Sequence, residues 1–448
     1  VTLLLLLASQ DAMARRAPAW KGSVPVSGNP SHDALLKMAK VTEADARKTA
    51  LAAIPGDAAS KTIAEGELEA ENGYLVWSFD IKSKGEQGVS EVLVDAGNGQ
   101  VLDQSHEGPA KEAREAVAET KEPAPAASDN PAVHGVALPG APPEGVMMDI
   151  LACDRARHRV WVPAGNTGSV DVIDTKTEQV TRIEGFATKE VERKGTKRTV
   201  GPSSASVGDG VVYVGSRGDD SACAIDAVSL KRGPCVTLES MPDLVAWVAS
   251  TKEVWVTAPR DKRIIILDAA TPLALTVKTT LTLDGEPECF AVDNERGVFY
   301  TNLEDKDRTV ALDLKTHQVT HTWESGCGED GPKGLALDDA DNFLVVACKD
   351  HVTVLDSGHE GQRLSTMATG DGVDAIDYLA SAREVFVGAG KAGQLVVLRL
   401  DAKGVLTTVA TVPTAAGARN AVATDDGSAW LSDSHEGKVL VVAPAALH

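Results

Sequence analysis

The stretch VWVPAGNTGSVDVID, residues 160–174, sets two apolar runs of strand-forming residues around a polar, Gly-containing centre and ends on Asp174. A carboxylate in that place is either chemistry or turn punctuation. Recurrence decides between them. The same phrase returns as VYVGSRGDDSACAID (212–226), VWVTAPRDKRIIILD (254–268), VFYTNLEDKDRTVALD (298–313), LVVACKDHVTVLD (344–356) and VFVGAGKAGQLVVLRLD (385–401). A last copy, AWLSDSHEGKVLVV (429–442), ends without the acid. Successive terminal aspartates lie 52, 42, 45, 43 and 45 positions apart. A period of about 45 residues with two central strands and room for one either side is the signature of a propeller blade. Asp174, Asp226, Asp268, Asp313, Asp356 and Asp401 then precede the turn between third and fourth strands, where a carboxylate accepts backbone N–H groups. One acid per repeat at one place is structural.

Seven copies predict a mainly β fold with a seven-bladed β-propeller over 132–448. The last copy lacks a fourth strand. AVHGVAL (132–138), just before the first repeat, is expected to supply it and close the ring, removing open sheet edges. ATKEVERKGTKRTVG (187–201) breaks the period and reads as a solvated loop or a partner-docking flap.

Upstream, the chain begins VTLLLLLASQDAMARR, an apolar run with a small-residue cleavage pattern at Ala12–Ala14. Residues 1–14 are therefore expected to be a truncated secretory signal peptide, and the protein to be extracytoplasmic, periplasmic or secreted. The run is too short to span a bilayer, and no later segment is long and apolar enough for a membrane span. Residues 15–37 read as a flexible leader and the Ala-, Glu- and Pro-rich 107–131 as a linker. Between them, 38–106 form a small α+β unit. VTEADARKTALAAIPG (41–56) is an amphipathic helix capped by Thr42 and stopped at Pro55-Gly56. GYLVWSFDI (73–81) and SEVLVDAGNGQVL (90–102) are strand-like, the second broken by a turn at Gly97–Gly99.

Two resemblances follow. Residues 41–104 resemble the PepSY domain, through the helix with its Pro-Gly stop, Trp77 in the preceding strand, and the phrase Val94-Asp95-Ala96-Gly97-Asn98-Gly99-Gln100-Val101. The resemblance implies an exported protein and a module that restrains a peptidase. Residues 133–448 resemble the YVTN-type propeller family, through VWVPAGNTGSVDVIDTKT (160–177) and Pro332-Lys333-Gly334-Leu335-Ala336-Leu337. WD-repeat signatures are absent.

A net charge of −21 disfavours nucleic acid as a partner. Of six cysteines none forms a CxxC pair; Cys223 and Cys235 flank a hairpin and are candidates for a disulfide. The residues entering the innermost strands are Asp149, Ser204 (or Ser203), Asp243, Glu288, Lys333, Asp374 and Asn420. These are expected to surround one mouth of the central channel as a ligand-binding ring. Asp149, Asp243, Glu288 and Asp374 are candidate Ca²⁺ ligands, since Ca²⁺ takes six to eight oxygens. Lys333 argues against that metal, because an ammonium competes for the same carboxylates. No cofactor is otherwise required. His317 and His321 lie four strand steps, about 13 Å, apart, too far to chelate. No P-loop, Rossmann fingerprint or nucleophile elbow is present, and no nucleophile–base pair emerges. The leading expectation is an exported binding or scaffold protein, for a small-molecule ligand or a protein such as a peptidase, rather than an enzyme. The alternative is a metal-dependent, lactonase-like hydrolase using the axial acidic ring, as gluconolactonase-type propellers do.

Overall fold

A computed structural model describes residues 20–26, 32–57, 60–71, 73–84, 89–107, 132–193 and 196–447. The expected signal segment 1–14 and nearly all of the linker 107–131 lie outside these residues. The chain divides into two compact units, Val1–Glu122 and Pro123–His448.

The first unit holds helices α1 (His32–Met38) and α2 (Glu43–Ala53) and an antiparallel sheet, β1 (Lys61–Glu71), β2 (Tyr74–Ser83), β3 (Val89–Asp95) and β4 (Val101–Glu107), in sequential order. Thr42 caps α2 by accepting the Asp45 N–H at 3.2 Å. Ile54 ends it in extended conformation, as the steric demand of the following Pro55 requires. The small side chains of Ala46 and Ala50 are fully buried. They join a core with Leu75, Trp77, Phe79 and Ile81, at alternate positions of β2, and with Val92 and Val94 of β3. Trp77 satisfies its indole N–H on the Val41 carbonyl at 3.1 Å.

Two features of this unit depart from expectation. Strand β1 was not legible, because KTIAEGELEAE is rich in Glu, Ala and Gly. Pairing with β2 along its length, with Leu68 opposite Trp77, overrides that propensity. The flexible leader expected over 15–37 is also corrected. Within it, residues 20–26 pack against the sheet with Val24 buried, and α1 buries Leu35. Apolar contact and backbone pairing hold them.

The second unit contains seven four-stranded antiparallel sheets among the described residues, six of them built in sequence order. They occupy 152–183, 202–237, 245–282, 287–324, 335–368, 373–413 and 419–442. The last takes Val133–Ala137 as its fourth strand, with Leu440 opposite Gly135. The first strand of every sheet touches the first strand of the next, and the seventh touches the first, so these strands form a closed inner circle. The hydrophobic clusters follow the same cycle. Trp161 packs with Val212 and Val214 of the next sheet. Trp255 stacks on Phe299 at 4.6 Å between the third and fourth. Val439 and Trp430 of the seventh pack with Val160 and Val162 of the first. Each sheet is hydrophobic on both faces and buries them against its neighbours.

Between the first two sheets, the described residues of 187–201 are not a bare loop: Lys189–Arg193 and Thr196–Val200 pair as two antiparallel strands. Lys189 anchors it on Asp220 at 2.7 Å. Cys223 and Cys235 are joined by a disulfide, and so are Cys327 and Cys348.

All six terminal aspartates accept the backbone N–H two residues ahead, as Asp174 does from Lys176 at 3.0 Å. Backbone donation from Thr177 holds the Asp174 carboxyl below its ordinary range. Donation from Ser229, Thr316 and Val405 does the same for Asp226, Asp313 and Asp401.

Candidate functional site

The inner circle of strands sets where each candidate side chain stands. Asp149, Asp243 and Lys333 sit just before the first strands of their sheets; Ser204, Glu288, Asp374 and Asn420 sit within theirs, near the start. The four carboxylates interact. Glu288 hydrogen-bonds Asp243 and feels the charges of Asp243, Asp374 and Asp149. Burial, followed by those three like charges, raises its carboxyl to about 9, so it carries a proton at neutral pH. Burial also raises Asp243, against the opposing pull of Arg217.

Backbone contacts hold the ring in register. Asn420 donates to the Asp149 carbonyl at 2.8 Å and accepts the Ala375 N–H at 3.0 Å, tying the seventh sheet to the first and sixth. Its backbone is left-handed, a conformation Asn tolerates better than most residues. Ser204 donates to the Asp243 carbonyl at 2.7 Å, and Ser203 to the same oxygen at 3.2 Å.

Two basic residues in this cluster were not anticipated. Arg217, from the turn between the second and third strands of the second sheet, bridges Asp149 at 2.7 Å and also contacts Asp243. Its guanidinium is held more basic than usual, since the two carboxylates outweigh its own burial. Arg419 faces Asp374 at 3.4 Å. The sequence signal for Arg217 was weak: it lies in the variable loop of its repeat, where the neighbouring copies carry Gly165 and Pro259.

Lys333 does not serve the ring as expected. Its ammonium pairs with Glu304 of the fourth sheet, while its backbone N–H bonds the Ala347 carbonyl at 2.7 Å. The candidate Ca²⁺ set Asp149, Asp243, Glu288 and Asp374 is likewise not supported. Among the described residues no three His, Cys, Asp or Glu side chains are grouped to hold a metal ion. The physical reason is local: Arg217 already engages Asp149 and Asp243, Arg419 stands against Asp374, and Glu288 retains its proton. A cation would have to displace two guanidinium groups.

Beneath the ring lies a cavity of about 180 Å³, bounded by the first strands of the first, sixth and seventh sheets. Asn420, Ile150, Cys153, Arg155 and Asp377 are among the residues that line it. Arg155 and Asp377 pair at 2.7 Å. Cys153 is a free thiol, raised to about 12 by burial, and is therefore unreactive at neutral pH. The ring as a whole offers fixed carboxylates, guanidinium groups and one neutral acid around a small polar entrance.

Residues 40–105 match the PepSY family, described as the peptidase propeptide and YPEB domain. No curated protein matches the chain significantly. Among solved structures, a streptogramin B lyase shares 13% identity at TM-score 0.53, over 69% of this chain and 96% of that one. A hydrazine synthase of Kuenenia stuttgartiensis shares 12% at TM-score 0.54, over 68% and 96%. The β-propeller domain of Myceliophteria thermophila Cps50 (Swd1) shares 9% at TM-score 0.54, over 69% and 98%. At such identities the likeness concerns the fold alone. No helix among the described residues is long and apolar enough to cross a membrane. The chain thus joins a PepSY domain at residues 40–105 to a β-rich region with a β-propeller fold, its sheets consistent with propeller blades.

Proposed function

We propose that the protein is an extracytoplasmic binding or scaffold protein. In this reading the seven sheets are the blades of a YVTN-type seven-bladed propeller, and its channel mouth takes a small polar ligand bearing a cationic group. The PepSY domain restrains or contacts a peptidase. One observation carries the ligand reading. The mouth residues differ from repeat to repeat, whereas the rim aspartates recur, and the mouth carboxylates exceed the guanidinium groups facing them even with Glu288 protonated. Repetition serves the fold; departure from it at one axial place supports a site. Two disulfides agree with export into an oxidising compartment, as does the signal-like segment 1–14. The hydrolase alternative is not favoured, because its metal would need carboxylates that arginines already engage.

The test is thermal melting of the full chain titrated with spermidine, or separately with Ca²⁺ followed by EDTA. Spermidine is expected to raise the melting temperature of the native chain and not that of an Asp243→Asn, Asp374→Asn double variant. A rise common to both proteins, or none in either, refutes the mouth as a cation-selective site. A Ca²⁺ rise reversed by EDTA and lost in the variant would instead revive the hydrolase.

A further inference from the structure

In the first unit, the turn between β3 and β4 holds a segment that lies outside the family match. Strand β3 pairs with β2 only from Val76 onward, ending at Asp95 opposite Val76. Gly73 and the first residues of β2, Tyr74 and Leu75, therefore lie past the last pair of β3 with β2. Residues 24–26 fill that place. Leu75 donates its N–H to the Val24 carbonyl and Val26 donates to the Gly73 carbonyl, both at 2.8 Å, with Pro25 bridged to Tyr74 between them. The geometry is that of an extended peptide added to a sheet. Pro25 sits where no N–H is asked of it on the β2 side.

Side chains complete the fit. Asp95, itself buried, accepts the Ser23 N–H and the Ser23 hydroxyl, each at 2.6 Å. Val24 is 8% exposed and belongs to the core cluster with Leu75 and Val94. The Trp20 ring lies 6.4 Å from the Tyr74 ring.

Two glycines single out this contact. Gly97 occupies a position that the Val-Asp-x-x-x-Gly phrase leaves open, and its φ is not left-handed, so no turn geometry demands glycine there. A Cβ on it would collide with Ser23 Oγ and meet Val24 Cγ2 at 2.6 Å. A Cβ on Gly22 would meet Tyr74 Cβ at 2.6 Å. Both glycines answer to close approach between segment and domain, one from each side.

We infer that this PepSY domain carries a peptide-recognition groove, formed by Asp95, Gly97 and the Gly73–Leu75 edge, and that residues 20–26 occupy it in cis. The groove takes an extended segment with a small hydroxyl residue, then a β-branched apolar residue, then proline. Specificity divides among Asp95 for the hydroxyl, the core for the apolar side chain and the β2 edge for the backbone. A second peptide of this chemistry enters only when the chain's own segment leaves. The inference is independent of the channel mouth.

The experiment uses the full chain lacking residues 1–26 and a fluorescent peptide of residues 20–26, WKGSVPV, followed by anisotropy. Saturable binding is expected to the truncated chain and not to the intact one. Asp95→Asn and Gly97→Ala, each placed in the truncated chain, are expected to weaken it at least tenfold. A peptide with Ser and Val exchanged for Gly and Asp should not compete. A truncated chain that keeps its native circular dichroism yet binds no peptide overturns the inference. If truncation unfolds the domain, the intact chain is folded first and then nicked at a protease site placed within 27–31. Exchange of the nicked segment for labelled WKGSVPV supports a detachable ligand. No exchange into a chain that stays folded shows the segment to be an integral part of the fold and overturns the inference.

Discussion

The rim aspartates of the second unit and the carboxylates proposed to form its channel mouth use one functional group in opposite ways. At the rim, Asp174, Asp226, Asp313 and Asp401 accept N–H groups from residues two to four positions ahead, and those bonds hold them below the ordinary carboxylate range. At the mouth, Glu288 and Asp243 come from different sheets, lie partly buried beside like charges, and are pushed up. The rim carboxylate is served by its own turn; the mouth carboxylate depends on chain segments tens to hundreds of residues away, as Arg217 to Asp149 does. A repeated local bond supports the architecture without needing the rest of the molecule. A convergence of unlike residues exists only once the circle of strands is assembled.

The sharpest way to break the contrast is Arg217→Met. Removing the guanidinium strands Asp149 and Asp243 together, and the expected loss is about 3 kcal/mol, toward the lower end for a buried ion pair because the site is partly exposed. Urea unfolding measures it. Adding Asp149→Asn and Asp243→Asn should recover most of that loss. A single variant as stable as the native chain would show the mouth to be as locally supported as the rim.

Glu288→Gln separates the two regions by sign. The Glu288 carboxyl is raised from 4.5 to about 9, so the folded state binds the extra proton between those values. Stability from this group is full below pH 4.5 and falls as pH rises toward 9. The variant is expected to melt higher than the native chain at pH 8, with the difference vanishing at pH 4. A difference independent of pH would mean that Glu288 is ionised in the fold.

Asp174→Asn gives the smallest change and the opposite pH dependence. Its folded carboxyl lies below the ordinary value of 3.8, so its contribution is present above that value and disappears as pH falls through the lowered one. The native chain is expected to melt slightly higher than the variant at pH 7, with the difference shrinking as pH falls below 3.8. Pairing Asp174→Asn with Asp401→Asn should give additive losses, since each turn is self-contained.

Legibility followed the same division. The repeats, their strands and the rim aspartates could be read because period, alternation and Asx turns act over a few residues. The helix α2 with its Thr42 cap and Pro55 stop was readable for the same reason. Strand β1 was not, since Glu- and Ala-rich residues form a strand there only by pairing with β2. Residues 20–26 were misread as leader because nothing local says that Val24 reaches a core or that Ser23 meets Asp95, 72 positions away. At the mouth, the identity of Asp149, Asp243, Glu288, Asp374 and Asn420 followed from aligning repeats. Arg217, Arg419 and the diversion of Lys333 to Glu304 did not, because loop side chains choose partners only after the sheets are placed.

By itself the sequence determined a repeating β architecture behind a small α+β domain, through periodic patterns whose physics is complete within a turn or a strand. Tertiary structure alone decided the rest: which charges meet at the mouth, which carboxyl keeps its proton, and what Asp95 holds. Burial and long-range electrostatics depend on distances that no stretch of chain contains until the fold has brought its segments together.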